Sequence, residues 1–474
     1  MTIEDLYFRS ASEIIERIKS QEITSEELTE KIIERIEKIN PIINAYCIPT
    51  FDLAREMAKE ADKAVKKGNK LGLLHGVPTS IKDLTEVKDI RTTFGCKIFE
   101  NYISTNDEAA AKRLRNSGVI ILGKTNAPAL GFKPVTDNLI FGVTKNPWNL
   151  NKTPGGSSGG AAAATASGLC YLALGSDGGG SIRIPSSLCG VYGFKPSFGR
   201  VPQGSMKLFG YMGTLVHIGP IVRYVRDAAL MLDAIIGDHP SDRYSLPKQN
   251  ISYSEKVTEQ PKKLKMGFSL DLGFAEAIDS EVKETVLNSF KKFETLDWLV
   301  EKARLKLKNA ASTIATIWTS GFGFRLGPYL KQWEDKLDPE LVAVIKAGIK
   351  YSVQEIKSAE LEREIIYETI SKFFRKYDIL LTPTVLCTAF NLGKSYPDEI
   401  EGKEISNMGA WIPFTYPFNL TGHPAASIPC GWSKEGLPIG MQIVGRRLDD
   451  LTVLQVSQTF EELKPWQDRR PEFN

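Results

Sequence analysis

The 39 glycines of this 474-residue chain are unevenly spread, and their densest stretch runs from Gly155 to Gly180. That stretch reads GGSSGG, an Ala-rich run, the apolar segment LCYLALG, then Ser176-Asp177-Gly178-Gly179-Gly180-Ser181. The order predicts a glycine loop, a helix, a strand and a second glycine loop in direct succession. The same alternation continues on both sides. GVPTSIKD, DEAAAKRLRNSG and VIILGKT precede it, and DILLTPTV, ASIPCGW and IGMQIVG lie near the C-terminus. Strands alternating with helices predict a layered α/β core.

The first 70 residues read as helices. Ser10 with Glu13 resembles a capping box before a helix, and Ser25 opens the run ELTEKIIERIEKI. Phe51 to Lys67 forms a third helical run, whose lysines read as a solvated helix end rather than a binding patch. Lys256 to Phe374 is richer in charge and in long helical runs, and is expected to be a helical excursion covering the core. A chain this long buries a large core without disulfide or metal staples.

Hydrophobic residues at 42% and charged residues at 25% place the chain in the globular range. Its net charge of +3 gives no general pull toward nucleic acid or anionic membrane. The N-terminus lacks a basic start followed by an apolar run, so no signal peptide is expected. The Gly159 to Gly175 stretch is too weakly apolar for a membrane span, which takes about 20 apolar residues. None of the six cysteines forms a CxxC, which fits buried free thiols in a reducing cytoplasm. The four histidines are scattered without metal-ligand spacing, so no metal is expected.

Three segments invite a chemical reading. Gly118 to Thr125 matches the phosphate-binding pattern GxxxxGK[ST], but its middle residues Val-Ile-Ile-Leu read as a buried strand, where a P-loop needs a loop. Gly155-Gly156-Ser157-Ser158-Gly159 matches the GxSxG nucleophile elbow, which needs a strand leading into the serine. The upstream NPWNLNKTP does not make a core strand, while the Ala-rich run after Gly160 supplies the helix the elbow also needs, so the motif is half met. The third is the GGG-Ser segment. Glycines before Ser181 suit inward-pointing amides beside a nucleophile, and a tight turn is the plain alternative. A serine nucleophile needs a base. With no convincing histidine, the choice falls on a lysine kept neutral by burial, and Lys82 in the apolar segment GVPTSIKD is the candidate. The rival readings for Lys82 are an ion pair with Asp83 or an outward-pointing side chain.

Taken together, GVPTSIKD, GKTN-P, NPWN, PGGSSGGAAA, LGSDGGGSIRIPSSLCGVYGFKPSFGRVP, HIGPIVR, PFNLTGHPAASIPCG and LPIGMQIVGRR resemble the amidase signature family. The resemblance is strong over about residues 8–240 and 378–460 and loose between them. It implies one large α/β domain with a central mixed, twisted β-sheet flanked by helices. Residues 1–70 would form N-terminal helices, 71–240 the catalytic core, 241–377 a divergent, mostly helical cover, and 378–474 a return to the core.

The family's Ser-cisSer-Lys triad maps onto Ser181 as nucleophile, Ser157 as cis-serine and Lys82 as base. Ser158 would be a supporting hydroxyl. Gly178, Gly179, Gly180 and Ser181 would supply oxyanion amides, and Asp177 and Arg183 would hold the glycine loop. No cofactor and no metal are implied. The implied reaction is hydrolysis of a carboxamide to a carboxylate and ammonia or an amine. The expected partner is a small-molecule amide, with no nucleic acid or membrane, and a homodimer is compatible. Two departures stand out: Ala129 occupies a position where members often carry Glu, and Gly178 one where many carry Thr or Ile.

The alternative within the family is the glutaminase component of a tRNA-dependent amidotransferase. That protein typically has Gln after Ser-Ile-Arg and Leu-Asp-Gln before Ile-Gly-Pro. Here those places hold Ile184 and Leu215-Val216-His217, which points to a stand-alone amidase. Tyr211, Met212, Ile317, Trp318, Phe322 and Phe324 are candidates for an apolar pocket. Rivals outside the class are a catalytically idle protein that only binds a partner and a nucleotide-binding protein.

Overall fold

The structure, a computed structural model, describes residues 3–203 and 214–473. After one turn at Ile3–Leu6 come α1 (Ala11–Lys19), α2 (Ser25–Ile43), strand β1 (Tyr46–Pro49) and α3 (Phe51–Lys66). The Ser10 hydroxyl accepts from the Glu13 amide at 3.1 Å, satisfying one of the orphan donors that open α1. Helix α2 is capped by Thr24, and Ser25 is its first helical residue. Next come β2 (Pro78–Lys82), α4 (Ala109–Asn116), β3 (Ile120–Thr125), α5 (Gly159–Ala166), β4 (Leu172–Asp177), α6 (Arg183–Cys189), β5 (Tyr192–Lys195), β6 (His217–Val222) and α7 (Val225–Ile235). The glycine-framed stretch is thus loop, helix, strand and loop, as its pattern predicts.

The middle of the chain holds β7 (Lys265–Phe268), α8 (Ser280–Phe290), β8 (Leu299–Lys302), α9 (Ala310–Leu326), α10 (Pro339–Gly348) and α11 (Val353–Phe373). The last stretch adds β9 (Ile379–Pro383), α12 (Pro417–Thr421), β10 (Ala425–Trp432), β11 (Pro438–Gly445) and α13 (Asp450–Leu463). Eleven strands form one sheet in the order β1-β3-β2-β4-β6-β5-β10-β11-β9-β7-β8. It is mixed: β3, β2 and β4 run parallel, as do β9, β7 and β8, and the strands between pair antiparallel. Strands β2 and β3 are buried at every residue, as parallel strands covered on both faces must be.

The middle segment is not purely helical. Its strands β7 and β8 extend the sheet to its far edge. Each has four residues and β8 is half polar, so neither carries a period long enough to stand out among helical runs. The helices α9 and α10 place Phe322, Leu326, Leu341 and Ile345 in one apolar cluster with Leu84, Phe94, Leu130 and Phe132. Through this cluster the middle segment packs over the segments that follow β2 and β3. Among the described residues no helix is long and apolar enough to cross a membrane.

Candidate active site

Lys82 ends β2 and Asp177 ends β4, two neighbouring strands running in parallel. Their C-terminal ends therefore open on the same side, the usual place for a ligand crevice in such sheets. Side chains alternate along a strand, so Lys82 and Asp83 leave opposite faces. Asp83 pairs with Lys124 at 3.3 Å. Lys82 is fully buried and donates instead to Ser157 Oγ at 2.7 Å, Ser176 Oγ at 3.1 Å and the Ser176 carbonyl at 3.3 Å. The rival readings for Lys82, an ion pair with Asp83 or an outward side chain, are excluded by this geometry. Burial pushes the Lys82 amine well below the ordinary lysine range, against an upward pull from the Asp177 carboxylate.

Ser157 precedes α5 and follows the cis peptide Gly156–Ser157. No strand leads into it, so the nucleophile-elbow reading fails on backbone geometry. The P-loop reading of Gly118 to Thr125 fails too, because Ile120–Thr125 is strand β3. Its Lys124 is fully buried and donates to the Thr85 carbonyl at 2.6 Å and Thr92 Oγ1 at 3.0 Å.

Ser181 lies just before α6, in the loop after β4. Its carbonyl accepts from the Ser158 amide at 3.2 Å, which ties the two serine loops together. The Ser158 hydroxyl donates to the Ser176 carbonyl at 3.2 Å. Asp177 braces the glycine loop from beneath, accepting from the Gly180 amide at 2.7 Å and the Ile182 amide at 3.2 Å. Arg183 meets Asp177 with two bonds of 3.0 Å and extends to the Thr415 carbonyl, Asn419 and Gln442. Burial alone would raise the Asp177 carboxyl, but the Arg183 guanidinium together with Lys195 and Asn419 outweighs it and holds the group well below the usual carboxylate range. Four free amides were expected in the glycine loop, and the structure leaves three. The Gly180 amide is engaged by Asp177, and those of Gly178, Gly179 and Ser181 have no hydrogen-bond partner among the described residues.

Thr415, Asn419, Gln442 and Ser176 were not singled out by sequence reasoning. The Thr415 hydroxyl donates to the Gly179 carbonyl at 2.6 Å, and a Cβ on Gly180 (φ +133°) would lie 2.5 Å from it. Asn419 donates to the Asp177 carboxylate at 2.7 Å. Ser176 sits inside the GSDGGGS motif and could have been suspected from it. Thr415, Asn419 and Gln442 arrive from more than 200 residues away, and only the fold brings them in.

Two cavities meet at Ser181. The outer one holds about 550 Å³ and is walled by Phe132, Phe274, Ile314, Trp318, Met408 and Tyr416, with Gly179 and Ser181 also on its lining. The inner one holds about 40 Å³ and is lined by Ser157, Ser176, Gly178, Ser181, Glu108 and Trp318 among others. Burial, with the Glu86 carboxylate beside it, pushes the Glu108 carboxyl up to about 8. Of the apolar-pocket candidates, Trp318 lines both cavities, Phe322 is buried in the core and Phe324 is 79% exposed. Tyr211 and Met212 lie outside the described residues.

The Amidase family profile matches residues 27–454. The acylamidase of Rhodococcus erythropolis is 37% identical over 99% of this chain and 98% of its own length. The A component of the glutamyl-tRNA(Gln) amidotransferase of a Sulfurihydrogenibium species is 34% identical over 99% of this chain and 100% of its own. The crystal structure of a bacterial aryl acylamidase of the amidase signature enzymes superposes with a TM-score of 0.92 at 32% identity, covering 97% of each chain. The chain belongs to the amidase signature family and is an amidase, a hydrolase of amide C–N bonds.

Proposed function

We propose that the chain hydrolyses a small carboxamide through an acyl-enzyme on Ser181, with Ser157 and Lys82 as its proton relay. The observation that carries this reading is the 2.7 Å bond from the buried Lys82 Nζ to Ser157 Oγ, in a cavity that Ser181 also lines. The amide carbonyl lies against the amides of Gly178, Gly179 and Ser181. Ser181 Oγ attacks the carbonyl carbon while its proton passes to Ser157 Oγ, and the Ser157 proton passes to neutral Lys82. The oxyanion that forms gains several kcal/mol from preset amides; one donor is worth about 3–4 kcal/mol in other enzymes.

On collapse the C–N bond breaks, and the relay runs backward to protonate the departing nitrogen. Water then attacks the ester by the same route and releases the acid. Asp177 and Arg183 are positioning residues, holding the glycine loop that carries the amides. The outer wall is mostly apolar, with the charged Lys133, Glu276, Lys403 and Glu404 also on its lining, and suits an acyl group that is largely apolar.

The experiment is a panel of aliphatic amide, aromatic amide, glutamine and aryl ester, with wild type and Ser181→Ala. Turnover of an amide by wild type, lost in Ser181→Ala together with labelling by a fluorophosphonate, is the expected result. Glutamine-only activity that requires a partner protein would overturn the stand-alone reading. Wild-type turnover in Ser181→Ala would overturn the mechanism.

A further inference from the structure

The two cavities differ more than tenfold in size, and the relay residue Ser157 lines the inner one. In the reading above, Ser157 gives its proton to the departing nitrogen, which must then sit within about 3 Å of its hydroxyl. The nitrogen is therefore on the inner side of Ser181, and the acyl group extends to the outer side. The inner 40 Å³ has room for a few water-sized molecules, at about 10–15 Å³ each. The outer 550 Å³ lies in the range of ordinary small-molecule sites, about 300–1,000 Å³.

Trp318, Gly131 and Ser181 line both cavities, and Trp318 is the one large side chain among them. It projects from α9, and its indole N–H donates to the Phe132 carbonyl at 3.3 Å. Phe322, one turn on, meets its ring edge-on at 5.5 Å. The ring is seated where Gly178 leaves space: a Cβ at that position would lie 2.7 Å from Cζ3 and 2.9 Å from Cη2. Gly178 is one of the two departures noted in the sequence, and Trp318 comes from its loosely matching middle. Each makes sense of the other.

We propose that Trp318, seated over Gly178, bounds the inner chamber around the departing nitrogen and makes the enzyme selective for carboxamides whose nitrogen carries little or no substituent, on bulky, largely apolar acids. Ammonia or methylamine fits the chamber, and a branched or aryl amine does not. This rests on the Ser181, Ser157 and Lys82 reading, and the test separates the two. Phenylacetamide, its N-methyl and N-isopropyl derivatives and phenylacetanilide share one acyl group, and phenylacetate release by the full-length enzyme gives kcat/KM for each.

The expected result is a fall of about tenfold or more from phenylacetamide to the N-isopropyl amide, with the anilide lower still. Trp318→Ala should narrow that ratio, Trp318→Phe should narrow it less, and Gly178→Ala, which displaces the ring, should act like Trp318→Phe. Wild-type cleavage of the anilide as fast as the primary amide, with Ser181 labelled by a fluorophosphonate, overturns this inference alone. An unlabelled Ser181 with no amide cleaved overturns the mechanism as well. The wild-type series and Trp318→Phe keep the test decisive even where Trp318→Ala does not fold.

Discussion

Lys82 and Lys124 lie at the ends of two adjacent parallel strands, and both are fully buried. Their surroundings differ by one group. Lys124 has the Asp83 carboxylate at 3.3 Å, along with a carbonyl and a hydroxyl. Lys82 has two hydroxyls and a carbonyl within bonding distance, and the Asp177 carboxylate acts on it only as a longer-range field. The carboxylate in contact with Lys124 forms an ion pair that ties the loop of Thr85 and Thr92 to the sheet. A buried amine offered hydroxyls has reason to shed its proton. Sequence places both lysines after short apolar runs, and strand alternation decides which of them gets the aspartate.

The largest effect expected of a single change is at Ser181. Ser181→Ala should lower kcat by about 10⁴-fold or more and abolish covalent labelling, read by steady-state assay and intact-protein mass. The two lysines should then part company. Lys82→Met should lose activity by about 10³-fold or more while the melting temperature changes little, because the amine's partners are hydroxyls and a carbonyl and no contacting carboxylate is stranded. Lys124→Met should instead destabilise the fold by about 3–5 kcal/mol in urea titration, because it strands the Asp83 carboxylate without its cation. A Lys124→Met protein as stable as wild type, or a Lys82→Met protein as active, would break the comparison.

The pH profile sharpens it. Only neutral Lys82 accepts a proton, and its pKa in the folded protein is depressed. kcat/KM should therefore fall as pH drops through that depressed value and hold on its alkaline side. A kcat/KM that stays flat over the whole acidic range in which the protein remains folded would contradict a neutral lysine base. The smallest change expected is Ser158→Ala. It removes one hydrogen bond to the Ser176 carbonyl and should lower kcat by about fivefold, consistent with roughly 1 kcal/mol for such a bond.

Much of the fold was legible because its strands are short, apolar and bounded by glycine or proline, as in GVPTSIKD and IGMQIVG. The residues of the serine loops were legible because Gly155 to Ser181 is one contiguous segment. The braces around them were not. Thr415, Asn419 and Gln442 are ordinary in sequence and gain their roles when α12 and β11 close against the glycine loop. Strands β7 and β8 were hidden by their length. The engagement of the Gly180 amide by Asp177 needed coordinates, since sequence spacing alone leaves all four amides equivalent. The inner chamber had no sequence signal, because Glu108, Gly178 and Trp318 come from three separate segments.

The central claim is that Lys82 activates Ser181 through Ser157. The most direct test is the rate at which a fluorophosphonate acylates Ser181 across pH, in wild type and in Lys82→Met. The expected result is a wild-type rate that rises with a single ionisation and a slow, flat rate in Lys82→Met. A Lys82→Met protein that keeps the wild-type rate and the wild-type pH dependence would contradict it.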